Sequence, residues 1–104
     1  QHLDALGLAR PGESCRRLEE GAFSAENGVN PGHSRPGLPV NVSGGHLGCG
    51  YTHDMSGLRS VLEVVLQLRG EAGERQLSGV KVGLALSWRG IPTATGAVAV
   101  LRRV

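Results

Sequence analysis

Apolar residues recur at helical spacing most clearly over residues 56–68. There Leu58, Val61, Leu62, Val64, Val65, Leu66 and Leu68 cover most of a helix circumference, leaving Arg59, Glu63 and Gln67 as a polar stripe at i, i+4 spacing. A helix that is apolar nearly all round is buried between layers. A chain of 104 residues has too few other elements to cover this one. Asp54 or Ser56 is the expected cap, and Gly70 the expected stop.

The alternation of a strand appears twice afterwards. Val80 to Ser87 places Val80, Val82, Leu84 and Leu86 on one face, and Ala97 to Arg103 forms a final strand antiparallel to it. Residues Trp88 to Gly96, with Gly90 and Pro92, turn the chain between them, and Gly70 to Ser78 is a charged connecting loop. Ahead of the long helix the signals are shorter. Gln1 to Leu6 reads as the last turns of a helix, with Leu3 and Leu6 on one side and Gly7 as its stop. Pro11-Gly12 makes a turn, Glu13 to Glu20 a short helical turn, Gly21 to Leu38 a surface loop, and Pro39 to Val42 a short strand. This order predicts an α/β layer structure, with a mixed sheet, a central buried helix over about 56–68 and a C-terminal antiparallel strand pair.

Composition narrows the function classes. Hydrophobic content of 39% and charged content of 19% exclude a disordered chain. The longest apolar run, Val64-Val65-Leu66, is far too short to span a bilayer. A net charge of +2 with scattered arginines gives no nucleic-acid footprint, and Arg69, Arg75, Arg102 and Arg103 read as solvated charges. Cys15 and Cys49 read as reduced thiols of a cytoplasmic protein. Asn41-Val42-Ser43 matches the glycosylation pattern, but a buried strand there would make the match fortuitous.

The candidate chemistry lies in Pro39 to Leu58, PVNVSGGHLGCGYTHDMSGL. A strand, a glycine-rich loop and a helix N-terminus form a common site architecture in α/β proteins. The loop gathers Asn41, Ser43, His46, Cys49, Tyr51, His53 and Asp54, while Gly44, Gly45, Gly48 and Gly50 let the backbone bend and another group approach. A solvated loop explains His46, Cys49, His53 and Asp54 better than a metal site, because no second cysteine pair or HExxH pattern accompanies them. Cys49 reads as a small packed residue. Asn41 and Ser43 shape the loop by hydrogen bonds. A lone tyrosine in a glycine loop has few packing reasons to be there, which favours a functional Tyr51. Trp88 lines an acyl pocket or, equally, belongs to a core or interface.

This segment resembles the thiolase motif N-x-S-G-G-x-x-x-x-G-H-P-x-G-x-[ST]-G. The following VLQLRGEAGERQLSGVKVGLALS resembles the last helix and strands of sterol-carrier-protein-type thiolases, and LDALGLARPGESCRRLEEG resembles the same family's upstream helix end and Gly-Glu turn. The resemblance spans about Leu3 to Arg103. It implies the C-terminal part of a five-layer α/β/α/β/α fold, in which the helix after the glycine loop packs between two sheets. The chain is then one incomplete domain: 1–38 a helix end and surface loop, 39–58 strand, glycine loop and helix start, 59–104 the helix and two final strands. It lacks the N-terminal half with its cysteine nucleophile and most coenzyme A contacts, and is inactive without that half or a companion subunit.

The departures carry the functional reading. The family histidine that helps form an oxyanion hole falls at Tyr51, the next proline at Thr52, and a glycine at Asp54. The final loop, where some branches carry an acid/base cysteine, reads Ser87-Trp88-Arg89-Gly90. Thiolysis needs an imidazole and a thiolate at these points. A tyrosine resembles instead the thiolase-like aldolases of steroid side-chain degradation, which cleave a β-hydroxyacyl-CoA alongside an acyl-CoA-binding partner subunit. The resemblance thus implies Tyr51 as acid/base or oxyanion donor with His53 and Asp54 tuning it, and Asn41, Gly44, Gly45, His46, Gly50 and Trp88 as substrate contacts. It implies no bound cofactor or metal, a coenzyme A thioester as substrate, and a dimer. A 3-ketoacyl-CoA thiolase and a non-catalytic acyl-CoA- or lipid-binding subunit are the alternatives.

Overall fold

A computed structural model of the chain describes residues 2–23, 38–46, 48–50, 55–88 and 95–104. They form two compact units, Gln1–Val42 and Ser43–Val104.

Among the described residues the first unit holds two short helices, α1 (His2–Ala5) and α2 (Ser14–Glu19). Ser14 Oγ donates to Asp4 Oδ2 at 3.0 Å, and Arg17 Nη1 donates to the Leu8 carbonyl at 2.8 Å. The Arg17 guanidinium lies 5.3 Å from the centre of the Phe23 ring, a cation–π distance. Among the described residues its buried apolar ones are Ala9, Ala22 and Phe23. Leu38 N–H and Val40 N–H donate to the carbonyls of Ala22 and Phe23. The strand expected over Pro39 to Val42 does not form. Asn41 adopts φ +57°, a left-handed conformation that breaks an extended run and that asparagine tolerates. Asn41 is also exposed, so burial gives no ground for setting aside the Asn-Val-Ser match.

The second unit is built on α3 (Ser56–Arg69) and the antiparallel pair β1 (Val82–Trp88) and β2 (Gly96–Arg102). The helix and both strands stand within two residues of their expected places. Gly70 at φ +78° ends α3: its N–H donates to the Gln67 carbonyl and Glu71 N–H to the Leu66 carbonyl, the paired bonds of a Schellman stop.

The helix packs on the sheet through small residues. Register pairs Gly83 with Leu101, Ala85 with Ala99 and Ser87 with Ala97, and these face α3. A β-carbon on Gly83 would stand 2.5 Å from Val64 Cγ1, so the backbones meet where no larger residue fits. Val82, Leu84 and Leu86 do share a face, as alternation required, but it is the one turned away from α3. Close helix–sheet approach selects the small side chains, and the large ones are left open, with Val100 67% exposed. The far side of α3 is open too: Leu58 is 60% and Leu62 55% exposed. This helix is covered on one side by the elements beside it.

The expected polar stripe is not a solvated one. Gln67 is buried and its amide holds the connecting loop, donating to Glu63 Oε1 (3.1 Å) and the Arg75 carbonyl (2.8 Å) and accepting from Leu77 N–H (2.9 Å). Gln76 Nε2 returns to the Gln67 carbonyl at 3.0 Å, while its Oε1 accepts from Ala72 N–H. The loop carries a short 3₁₀ turn, Gly73–Arg75, and Arg75 pairs with Glu63 at 3.0 Å instead of standing free in solvent. Arg69 likewise pairs with Glu71 at 3.0 Å.

Candidate functional site

The glycine loop and the N-terminus of α3 belong to the second unit from Ser43 onward. Gly45 N–H donates to Ser43 Oγ at 3.4 Å, and Cys49 N–H to the His46 carbonyl at 3.2 Å, so the loop is a series of tight local turns. Gly44, Gly48 and Gly50 all have positive φ, and a β-carbon on any of them would meet nothing within 4 Å. Their glycines serve backbone conformation; among the described residues no group comes close to them. Arg59 ties the loop to α3 through a hydrogen bond from Nη1 to the Cys49 carbonyl at 3.4 Å.

His46 and Gly50 are exposed on this loop, with Gly44 and Gly45 beside them. Cys49 is exposed rather than packed, and Cys49 and Cys15 are free thiols. Asn41 belongs to the first unit. Tyr51, Thr52, His53 and Asp54 lie outside the described residues. Among the described residues no three His, Cys, Asp or Glu side chains are grouped to hold a metal ion.

Ser56 is not the cap of α3. Met55 occupies the cap position without a side-chain hydrogen bond, and Ser56 is the first residue inside the helix. Its side chain is buried, and among the described residues its hydroxyl has no partner. No acidic residue stands in the first turn of this 14-residue helix.

The end of β1 divides by alternation. Trp88 lies on the open face, its ring against Gly96, where a β-carbon would stand 3.3 Å from the ring. Ser87 lies on the α3 face, with Oγ 2.6 Å from the place a β-carbon on Gly57 would take. So Ser87, and not Trp88, is the β1 residue beside the helix N-terminus. Period-two counting from the small residue Gly83 would have found it.

Such an arrangement sets the Ser87 hydroxyl beside a helix N-terminus, an end that favours negative charge. Residues 1–103 match the family described as thiolase C-terminal domain-like. The chain belongs to that family.

Three curated proteins illustrate the range of this thiolase-type family. The chain is 35% identical to an acetyl-CoA acetyltransferase of Methanothermobacter thermautotrophicus over 79% of its length, covering 19% of that protein. It is 37% identical to human sterol carrier protein 2 over 78% of its length, covering 13%. It is 35% identical to the 17-hydroxy-3-oxo-4-pregnene-20-carboxyl-CoA lyase of Mycobacterium tuberculosis over 88% of its length, covering 20%. The thiolase-type chain therefore spans a fifth or less of each of these relatives. No solved structure matches it. No helix among the described residues is long and apolar enough to cross a membrane.

Proposed function

We propose that the chain is the C-terminal part of an acyl-CoA carbon–carbon lyase that cleaves a β-hydroxyacyl-CoA of a steroid side chain by a retro-aldol step. The observation that carries this reading is Tyr51 at the place of the thiolase motif's histidine. Similarity to the pregnene-carboxyl-CoA lyase over 88% of the chain supports it.

Tyr51 takes the proton of the β-hydroxyl. The oxygen's electrons form the product carbonyl, the bond between the α and β carbons breaks, and its electron pair becomes the enolate of the shortened thioester. Proton return to the α carbon completes the reaction. A phenol of ordinary pKa about 10 serves once neighbours tune it, the role given to His53 and Asp54. The α3 N-terminus favours the enolate oxygen. Gly44, Gly45, His46 and Gly50 form the substrate side of the loop, and Trp88 contacts a bulky acyl portion on the open sheet face. Coenzyme A enters as the substrate's thioester. The open apolar faces of α3 and the sheet fit coverage by the remaining layers of the thiolase fold or a companion subunit, in a cytoplasmic dimer.

Two assays separate the readings in the assembled protein. Cleavage of a β-hydroxyacyl-CoA with a roughly 10²-fold or greater loss of kcat in Tyr51→Phe is expected. Full-rate cleavage by that variant removes Tyr51 from the mechanism. Thiolysis of a 3-ketoacyl-CoA by free coenzyme A supports the second reading, a thiolase, which the acetyltransferase similarity favours. Binding of acyl-CoA without turnover leaves a lipid-binding subunit.

A further inference from the structure

Arg59, on the polar stripe of α3, has no part in the reaction as proposed. It stands one turn before Glu63, at the i, i+4 spacing where the two would pair. But Glu63 Oε1 accepts from Gln67 at 3.1 Å, and its Oε2 accepts from Arg75 at 3.0 Å. Arg59 instead reaches back to the glycine loop, where its Nη1 donates to the Cys49 carbonyl at 3.4 Å. Packing does not hold the segment it grips. Gly48, Cys49 and Gly50 are exposed, and a β-carbon on either glycine would meet nothing within 4 Å. Two further hydrogen bonds, Gly45 N–H to Ser43 Oγ and Cys49 N–H to the His46 carbonyl, stay inside the loop. Those two shape its turns without fixing where it stands against α3. The Arg59 bond does fix it. A cationic donor strengthens such a bond, and exposure to water takes back part of the gain.

Tyr51 follows Cys49 by two residues. Proton transfer needs the phenol within hydrogen-bond reach, and a displacement of about 1 Å can cost as much as 10²-fold in rate. We propose that Arg59 is a positioning residue, which tethers the glycine loop to α3 and thereby sets where Tyr51 stands for the retro-aldol step. The catalytic half of this assignment rests on the function proposed above; the tether does not.

Two readouts in the assembled protein test the two halves. In Arg59→Met, similar in length and uncharged, amide exchange at Cys49 should quicken about threefold to tenfold, the worth of one such bond. The thermal midpoint should hold. The kcat for a steroid side-chain β-hydroxyacyl-CoA should fall by about the same factor, with KM unchanged. Arg59→Lys, which keeps a cationic donor, should fall between. Because Arg59 acts through Tyr51, Arg59→Met should cost nothing further in a Tyr51→Phe background. Unchanged exchange at Cys49 overturns the tether. An unchanged kcat, or an equal kcat loss in both backgrounds, overturns the route through Tyr51. If Tyr51→Phe itself cleaves at full rate, the proposed function fails and takes the catalytic half with it, while exchange at Cys49 still decides the tether.

Discussion

Gln67 is 7% exposed on α3, and both ends of its amide are used, by Glu63, Arg75, Gln76 and Leu77. Spacing alone placed it on a polar stripe with Glu63. What it could not show is that the connecting loop folds back over that stripe and replaces water as its partner. Glu63 titrates accordingly. Partial desolvation opposes its charge, but hydrogen bonds from Arg75 and Gln67 and the Arg75 charge outweigh that and hold its carboxyl below the ordinary range. Glu63 thus binds its proton more weakly folded than unfolded. Its contribution to stability is complete above an ordinary value of about 4.3 and is lost as the pH falls from there through the depressed folded value. Denaturant titrations across that window should show a steeper acid loss for the parent protein than for Glu63→Gln. Equal slopes would remove Glu63 from the acid response.

At the scale of elements, α3 and β1 are held at a separation that small residues define. Gly83 meets Val64, and Gly57 meets Ser87, each closer than a β-carbon permits. Gly83→Ala should therefore destabilise by about 1–3 kcal/mol through overpacking, read as a lower midpoint in chemical denaturation. A paired Val64→Ala change should recover part of the loss by removing the methyl groups in the way. A loss that Val64→Ala fails to relieve would place the strain elsewhere. Gly79 provides a contrast: it has positive φ but open space around it, so alanine there strains the backbone without a clash. The site inherits this geometry, because the same close approach brings Ser87 to the first turn of α3.

For the whole molecule, the relevant observation is apolar surface on both open sides of the helix–sheet pair, Leu58 and Leu62 on α3 and Val82, Leu84, Val98 and Val100 on the sheet. Faces of this kind are buried in a layered α/β protein. Leu62→Asp should cost little in residues 1–104 alone, where the side chain is already 55% exposed, and several kcal/mol in the assembled protein, where it would bury a charge. Thermal midpoints of both forms check this, and an equal, small effect in each would show that the α3 face stays open. The sequence by itself determined the helix, its glycine stop, the two strands and the family, because each depends on spacing between near neighbours or on a motif of contiguous residues. It also required a helix with more apolar surface than this chain covers. Only the tertiary structure decided which sheet face meets α3, that Gln67 is buried, that Asn41 breaks the expected strand, and that Ser87 rather than Trp88 reaches the glycine-loop end of the helix. Those outcomes depend on how closely two backbones approach and which polar groups lose water, and neither is set by the order of residues along one element.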